Sequence, residues 1–335
     1  LDGVIIVPDT FYNKKTAEFA ERIVRRKFKG AVVSVDYRSG DMPVIMGDDA
    51  SAIALVNKFY NDGKINVLGM TYSNSHLAGA CLTRAINAYY GNDFRTGMLE
   101  NDVLNIPYIN DFSTEALKIL GVPLTKRGIE NANDTIYDLL TKSKDKSVTF
   151  VCIGQLKNAG DFLNYDFNGT SGADIFNAKV ETLYIMGGLF NQPGEYYTSG
   201  DEKLYGEYNI ITDLDSAKTV MNKVDTEIVF CDFDVGVGVM TFEKFSTGYN
   251  PKNPVSVSYK LFENGARHSW DPLTVLYAVE GDNEYFGSER GKVILTDKGR
   301  TLFEKDEKAN ARKVYLKKSK EETAKYLESF FADEL

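Results

Sequence analysis

Short runs of β-branched and other apolar residues alternate along this chain with longer stretches whose apolar residues recur at helical spacing. This alternation constrains the fold most, because it is typical of βα units, which build a parallel sheet. Strands are predicted at residues 4–7, 31–35, 44–46, 65–70, 148–153, 182–186 and 227–231, and helices at 14–27, 50–60, 77–90, 114–120, 134–142, 214–222 and 272–280. The sequence therefore predicts a single α/β domain with a mostly parallel central sheet flanked by helices.

Three segments fall outside this alternation. Residues 190–207 and 246–258 are rich in polar residues and glycine and are predicted to be irregular, and loops of this length are often functional. Residues 317–335 are predicted to form a charged helix with an apolar stripe.

The composition excludes two classes of protein. Acidic residues outnumber basic ones and give a formal net charge of −9, which argues against a protein that binds nucleic-acid phosphates through a basic face. No stretch approaches the roughly 18 to 20 uninterrupted apolar residues that a membrane-spanning helix needs. The expected partner is a small molecule rather than a nucleic acid or a membrane.

Cys152 and Cys231 lie in apolar strand-like runs and are predicted to be buried free thiols; with Cys81 the cysteines are few and odd in number, so no disulfide framework is implied.

The cellular compartment is predicted from two kinds of weak signal. Glycosylation sequons at Asn133 and Asn168 lie in polar, loop-like stretches, and the last four residues, Ala-Asp-Glu-Leu, resemble an endoplasmic-reticulum retrieval signal. These features favour a glycoprotein of the secretory pathway, in the ER lumen or outside the cell, with the cytoplasm as the alternative.

Two adjacent acids, Asp48 and Asp49, stand between a predicted strand and a predicted helix. They could cap the helix, or they could bind a hard cation and orient a water molecule. The predicted strand at 65–70 leads to Asn74, at the same edge of the sheet. The strand at 148–153 leads to a turn at Gly154 and Lys157 that could direct a backbone carbonyl at a metal ion.

Further polar groups follow later strands. Gly187 and Gly188 come directly after a strand, where glycine lets the backbone approach a ligand closely. Glu207 and Asn209 are two residues apart, and in an extended segment they would project to the same side, which suits a polyhydroxylated ligand. Asp271 precedes an apolar helix and could simply cap it.

In this order, the motifs resemble those of the nucleoside hydrolase family, in particular its longer secreted-type members. The matching segments are Asp48-Asp49, Asn74, Gly154 to Asn158, Met186-Gly187-Gly188, Glu207-Tyr208-Asn209 and Trp270-Asp271-Pro272. The resemblance runs from about residue 43 to the end of the chain. It implies a nucleoside hydrolase-like domain with a Rossmann-like core, and it leaves residues 1–42 as an additional N-terminal βα extension.

The resemblance implies hydrolysis of the N-glycosidic bond of a purine or pyrimidine ribonucleoside to ribose and free base by a calcium-bound water. Asp48 would accept the proton of that water. Calcium ligands would be Asp49, Asp271 and the backbone carbonyl of Lys157, and the residues that hold the ribose hydroxyls would be Asn74, Glu207 and Asn209. Members of the family commonly form dimers or tetramers, so a homo-oligomer is expected.

The sequence also departs from the family pattern. Val44 stands where the first metal-binding aspartate is expected, so Asp36 or Asp41 would have to replace it. Trp270 stands where many members have a histidine that protonates the leaving group, and His268 is predicted to be a surface residue. These departures motivate an alternative, a catalytically degenerate member that binds nucleoside or sugar or has a structural role. A third alternative is an unrelated carbohydrate-binding α/β protein without a metal site.

Overall fold

The computed structural model describes residues 3–6, 30–35, 47–73, 75–100, 112–191, 206–262 and 264–335. Eleven strands of these ranges form one sheet, in the order β14-β13-β15-β10-β9-β6-β1-β2-β3-β4-β5. They are β1 (Gly3–Ile6), β2 (Gly30–Val35), β3 (Asn66–Tyr72), β4 (Thr96–Met98), β5 (Glu130–Asn131), β6 (Val148–Cys152), β9 (Val180–Met186), β10 (Glu227–Cys231), β13 (Phe286–Leu295), β14 (Thr301–Lys305) and β15 (Ala311–Leu316). Two short antiparallel pairs join β7 (Asp166–Phe167) to β8 (Thr170–Ser171) and β11 (Met240–Thr241) to β12 (Arg267–His268).

The large sheet is parallel except around β13, which pairs antiparallel with both β14 and β15. Strand β6 is buried at every position, as expected for a parallel strand covered on both faces. Because β3, β6, β9 and β10 run in the same direction, their carboxyl ends meet at one edge of the sheet. Ligand sites of open α/β sheets form at this edge.

The helices of the described ranges surround this sheet. They are α1 (Gly47–Asn61), α2 (Leu77–Tyr89), α3 (Phe112–Leu120), α4 (Ala132–Thr141), α5 (Lys157–Asn164), α6 (Gly172–Lys179), α7 (Tyr208–Ile211), α8 (Leu214–Lys223), α9 (Phe233–Gly236), α10 (Glu243–Thr247), α11 (Pro254–Phe262), α12 (Trp270–Glu280) and α13 (Lys320–Ser329). Helix α1 packs against α12, although more than 200 residues separate them. Both are strongly apolar, and their packing forms part of the main core.

The predicted fold class is confirmed, and the corrections concern single elements. Strand 44–46 and helix 14–27 lie outside the described residues. Residues 246–258, predicted to be irregular, include the end of α10 and the first turns of α11. The antiparallel unit of β13, β14 and β15 was not predicted. Strands β1 and β2, from the N-terminal extension, lie inside the sheet between β6 and β3.

Other predictions about the surface have mixed outcomes. Cys152 and Cys231 are buried free thiols, as predicted, and so is Cys81. Asn133 lies in the first turn of α4 instead of a loop, and Thr135 of its sequon is buried, whereas Asn168 is exposed in the turn between β7 and β8. Among the helices of the described ranges, none combines the length and apolar content needed to cross a membrane.

The last residues of the chain are held against the body of the protein. The Glu334 side chain is 11% exposed and lies 2.7 Å from the Lys58 ammonium group. It also accepts hydrogen bonds from the Tyr90 hydroxyl and the Asn253 amide. A receptor that reads the Ala-Asp-Glu-Leu sequence would therefore have to release these contacts first.

Candidate active site

Three carboxylates meet where the first turns of α1 and α12 come together. Asp48, Asp49 and Asp271 each have a carboxylate oxygen within 4.8 Å of the other two. Their side chains are buried, with residue exposures of 2%, 0% and 4%. All three lie inside their helices, because α1 begins at Gly47 and α12 at Trp270, and the interpretation of Asp271 as a helix cap is therefore wrong. The positive ends of the two helix dipoles favour negative charge at this position.

The electrostatics of this acidic cluster favour a bound cation. Burial raises the pKa of Asp271 well above its ordinary value, and the charge of Asp48 raises that pKa further. The neighbouring guanidinium of Arg267 opposes both effects. Without a further positive charge, a proton on Asp271 relieves the repulsion among the three acids. A divalent cation would relieve it equally, and oxygen ligands at this spacing suit a hard cation.

Arg267 is a site residue that the sequence patterns did not indicate. Its Nε atom lies 2.8 Å from Oδ1 of Asp48, and its side chain is 16% exposed. The guanidinium carbon lies 5.2 Å from the ring centroid of Phe262 and 5.3 Å from that of Trp270, so the group contacts two aromatic rings. Arg267 and Asp48 are 219 residues apart in sequence, and no local spacing links them.

Glu207 and Asn209 lie close together, but not in an extended segment. Glu207 is the N-cap of α7, where its Oε1 accepts the N–H of Asn209 and its Oε2 accepts the N–H groups of Gly188 and Ile210. The prediction that both side chains project from one extended strand is therefore wrong. Burial raises the pKa of Glu207 to about 7 despite these hydrogen bonds.

Asn209 connects the ends of two neighbouring strands. Its side-chain amide donates to the carbonyls of Met186, at 3.1 Å, and Ile153, at 3.4 Å. These residues lie at the carboxyl ends of β9 and β6. Asn209 therefore stands at the same sheet edge as the acidic cluster.

A second buried acid, Asp232, follows strand β10 at this edge. Burial raises the pKa of Asp232 to about 7, and the charge of Asp232 in turn raises the pKa of Glu207. The sequence analysis did not select Asp232, although it directly follows the predicted strand 227–231. The rule that picked Asn74, a polar residue after a strand, would have found it.

The remaining predicted site residues have separate outcomes. Lys157 is the first residue of α5, and its ammonium group pairs with Asp161. The next residue, Asn158, donates to the Thr71 hydroxyl at 2.8 Å and so connects α5 to the end of β3. The predicted ligand Asn74 and the candidate acids Asp36 and Asp41 lie outside the described residues, as does position 44.

Trp270 and His268 have structural contacts in this site. The indole N–H of Trp270 donates to the carbonyl of Phe233 at 2.9 Å. His268 is half-buried, and its Nδ1 accepts the N–H of Gly238 at 2.8 Å, so the prediction of a surface histidine is wrong. Because the Trp270 N–H is engaged with the backbone, this side chain does not replace the missing histidine as an acid.

Comparison with known proteins identifies the family. The family model for inosine-uridine preferring nucleoside hydrolases matches residues 41–333. The chain belongs to this family. As a nucleoside hydrolase it is a hydrolase that acts on N-glycosyl compounds, and residues 1–40 lie outside the matched region. A comparison with curated protein sequences gave no match.

Solved structures of nucleoside hydrolases have the same fold. The inosine-uridine preferring enzyme of Bacillus anthracis is 16% identical, with a TM-score of 0.65 over 89% of this chain and 98% of that one. A plant nucleoside hydrolase is 19% identical, with a TM-score of 0.64 over 90% and 98% of the two chains. The purine-preferring ribonucleoside hydrolase of Gardnerella vaginalis is 16% identical, with a TM-score of 0.62 over 89% and 96%. At this level of identity the structures support the fold.

Proposed function

We propose that this nucleoside hydrolase cleaves the N-glycosidic bond of a ribonucleoside to ribose and free base, using a calcium ion held by the acidic cluster. The observation that carries the proposal is the meeting of Asp48, Asp49 and Asp271, three buried carboxylates within 4.8 Å. Neighbouring carboxylates are costly to bury together, so the retention of these three in the interior favours a functional cation site.

Calcium fits this cluster by charge and by ligand type. Calcium takes six to eight oxygen ligands, and carboxylates and backbone carbonyls are its usual protein ligands. Asp49 and Asp271 would hold it, with the carbonyl of Lys157 and with Asp36 or Asp41 as further ligands. When bound, calcium would lower the pKa of a water molecule and orient the 2′- and 3′-hydroxyls of the ribose.

The side chains supply the remaining chemistry. Asp48 would accept the proton of the attacking water, and its low exposure keeps bulk solvent away from that oxygen. Asn74, Glu207 and Asn209 would hold the ribose hydroxyls at the carboxyl ends of the strands. Bond cleavage develops positive charge on the ribosyl ring, and the negative field of the three acids would stabilise that charge.

A base-release assay with inosine and uridine tests the proposal. Both nucleosides are measured with calcium and after treatment with a chelator, and turnover is expected only with calcium. Asp48→Asn should reduce kcat by at least about 100-fold because the carboxylate that accepts the proton is lost. Asp49→Ala should weaken calcium binding in calorimetry.

In the same assay, variants of the candidate acids Asp36 and Asp41 test whether the proton acceptor is Asp48. If Asp41→Asn or Asp36→Asn abolishes turnover while Asp48→Asn retains it, the assignment of Asp48 as the proton acceptor is refuted. Asp297→Asn, on the surface and paired with Lys218, is a suitable control.

The rival function is nucleoside or sugar binding without turnover. It is favoured by the ion pair between Arg267 and Asp48, which occupies one oxygen of the proposed base, and by the engaged indole of Trp270. Calorimetric binding of ribose or inosine by a protein that releases no base from any common nucleoside would support it.

Two further proposals concern the cellular compartment and the oligomeric state. We propose a glycoprotein of the secretory pathway, because the sequon at Asn168 lies exposed in a hairpin turn that a glycosyltransferase can reach. Expression in eukaryotic cells with and without Asn168→Gln, followed by glycosidase treatment and gel electrophoresis, tests this. Light scattering during size-exclusion chromatography tests the proposed dimer or tetramer.

A further inference from the structure

We propose that Arg267 is a positioning residue of the active site, which holds the Asp48 carboxylate through one oxygen and leaves the other for the reacting centre. The inference rests on the proposed function. It concerns the place of Asp48 in that reaction, and it adds a residue that the ordered motifs of the chain do not contain.

The contact between Arg267 and Asp48 is a hydrogen bond from one nitrogen to one carboxylate oxygen. The Nε–H of Arg267 donates to Oδ1 of Asp48 at 2.8 Å. Within the described part of the chain, no hydrogen bond reaches Oδ2 of Asp48. This arrangement fixes the orientation of the carboxylate while one oxygen remains available for a water molecule or a ribose hydroxyl.

The guanidinium is itself held rigidly. The ring centroids of Phe262 and Trp270 lie 5.2 and 5.3 Å from its central carbon, so it contacts both rings. Trp270 is in turn fixed by its hydrogen bond to Phe233 and by contact with Gly236, where an added Cβ would lie 2.3 Å from the indole ring. A guanidinium that already contacts two aromatic rings loses little further freedom when it binds a carboxylate.

The backbone around Arg267 is also fixed. Strand β12 pairs antiparallel with β11, with Thr241 opposite Arg267 and Met240 opposite His268. The residue next to Arg267 is also held, because Nδ1 of His268 accepts the N–H of Gly238. Arg267 therefore extends from a short, doubly anchored strand, a placement that suits precise positioning.

Stability alone does not account for this pair. Buried ion pairs contribute little net stability compared with apolar residues of similar volume. Among the described residues, Arg267 nevertheless pairs with one acid of the cluster, Asp48. A positioning role explains why this cation is attached to Asp48 and why its side chain contacts two aromatic rings.

Kinetics of Arg267→Ala test the inference. We expect kcat to fall about 100-fold, as for a misplaced catalytic group, while KM changes less than about 3-fold. Adding ethylguanidinium should restore part of kcat, because the space that the Arg267 side chain leaves beside Phe262 and Trp270 can accept a free guanidinium. Arg267→Lys, which keeps the charge without the planar fork, should be intermediate and serves where the alanine variant folds poorly.

Calcium affinity is expected to rise in Arg267→Ala, whereas kcat is expected to fall. Arg267 repels a cation at the acidic cluster, so its removal should tighten calcium binding, by roughly 10-fold in calorimetry. A variant that had merely lost its structure would bind calcium more weakly and would not respond to guanidinium. The matched control is Arg312→Ala, which removes another partly buried arginine, one that pairs with the carboxylate of Glu227. This variant should change none of these quantities.

The outcomes separate this inference from the function on which it rests. Turnover by the unmodified protein with unchanged kcat in Arg267→Ala overturns the inference and leaves the proposed function intact. Lower kcat together with weaker calcium binding and no rescue by guanidinium also overturns it, in favour of a structural role. An unmodified protein without turnover overturns the proposed function, and the inference with it.

Discussion

Replacing Asp232 with asparagine should stabilise the protein at pH 8 much more than at pH 5. Asp232 is 2% exposed, and within the described residues its Oδ2 has no hydrogen-bond partner. Burial, and then the charge of Asp234, raises its pKa from 3.8 to about 7, against the opposing charge of Lys313. The folded protein therefore retains a proton that the unfolded chain releases once the pH exceeds about 4.

The sign and the size of the effect follow from proton linkage. A raised carboxyl pKa means that the folded state binds more protons than the unfolded state, so stability is lost as pH rises towards the folded pKa. From pH 5 to the folded pKa of about 7, a slope of about 1.4 kcal/mol per pH unit gives a loss of about 3 kcal/mol. Asp232 borders a cavity of about 240 Å³, and water entering it would reduce the loss to about 2 kcal/mol.

Urea denaturation of the calcium-free protein at pH 5 and pH 8 measures this difference. The advantage of Asp232→Asn over the unmodified protein should grow by about 2 to 3 kcal/mol between the two pH values. Asp138→Asn is a suitable control, because Lys142 lowers the pKa of Asp138 and its titration is therefore complete below pH 5. An advantage that stays the same at both pH values would refute the argument that Asp232 is buried with its proton.

Three further predictions concern contacts around the site and the end of the chain. Gly236→Ala should lower both the melting temperature and calcium affinity in calorimetry, because the added Cβ would lie 2.3 Å from the Trp270 ring next to Asp271. Trp270→Phe should lower the free energy of unfolding by about 1 kcal/mol, through loss of the indole hydrogen bond to the backbone, as measured by urea denaturation. Lys58→Met should speed hydrogen exchange in the last residues, because Glu334 loses its closest cation; unchanged exchange would show that the other contacts are sufficient.

The sheet and its acidic edge were predictable because their signals are local. Strands such as β6 and β10 are continuous apolar runs, since both faces of a parallel strand are buried. The acids Asp48 and Asp49 follow an apolar run of the sequence at a helix start, and parallel sheets commonly have polar site residues at such positions. The antiparallel unit was missed because β13 is only partly buried and carries several charged and polar residues, which hides its alternation.

Local sequence does not determine the remaining features. The segment at Glu207 contains polar and β-branched residues that suit a strand equally well, and it becomes a helix start because its carboxylate accepts the N–H groups of Asn209 and Ile210. His268 is half-buried because Gly238, 30 residues away, donates to its ring. The helix start at Glu207 depends on a local cap that competes with strand propensity, whereas the position of His268 depends on a tertiary contact.

Arg267 shows the same limitation and also clarifies the charge balance of the site. Among the described residues, three carboxylates lie together beside the guanidinium of Arg267, so negative charge is in excess there when all three acids are ionised. Without a cation, protonation relieves this excess, in agreement with the raised pKa of Asp271. A divalent cation would relieve the same excess without a proton. Calcium binding should therefore release protons from the acidic cluster, and the affinity should fall as pH decreases through the pKa of Asp271.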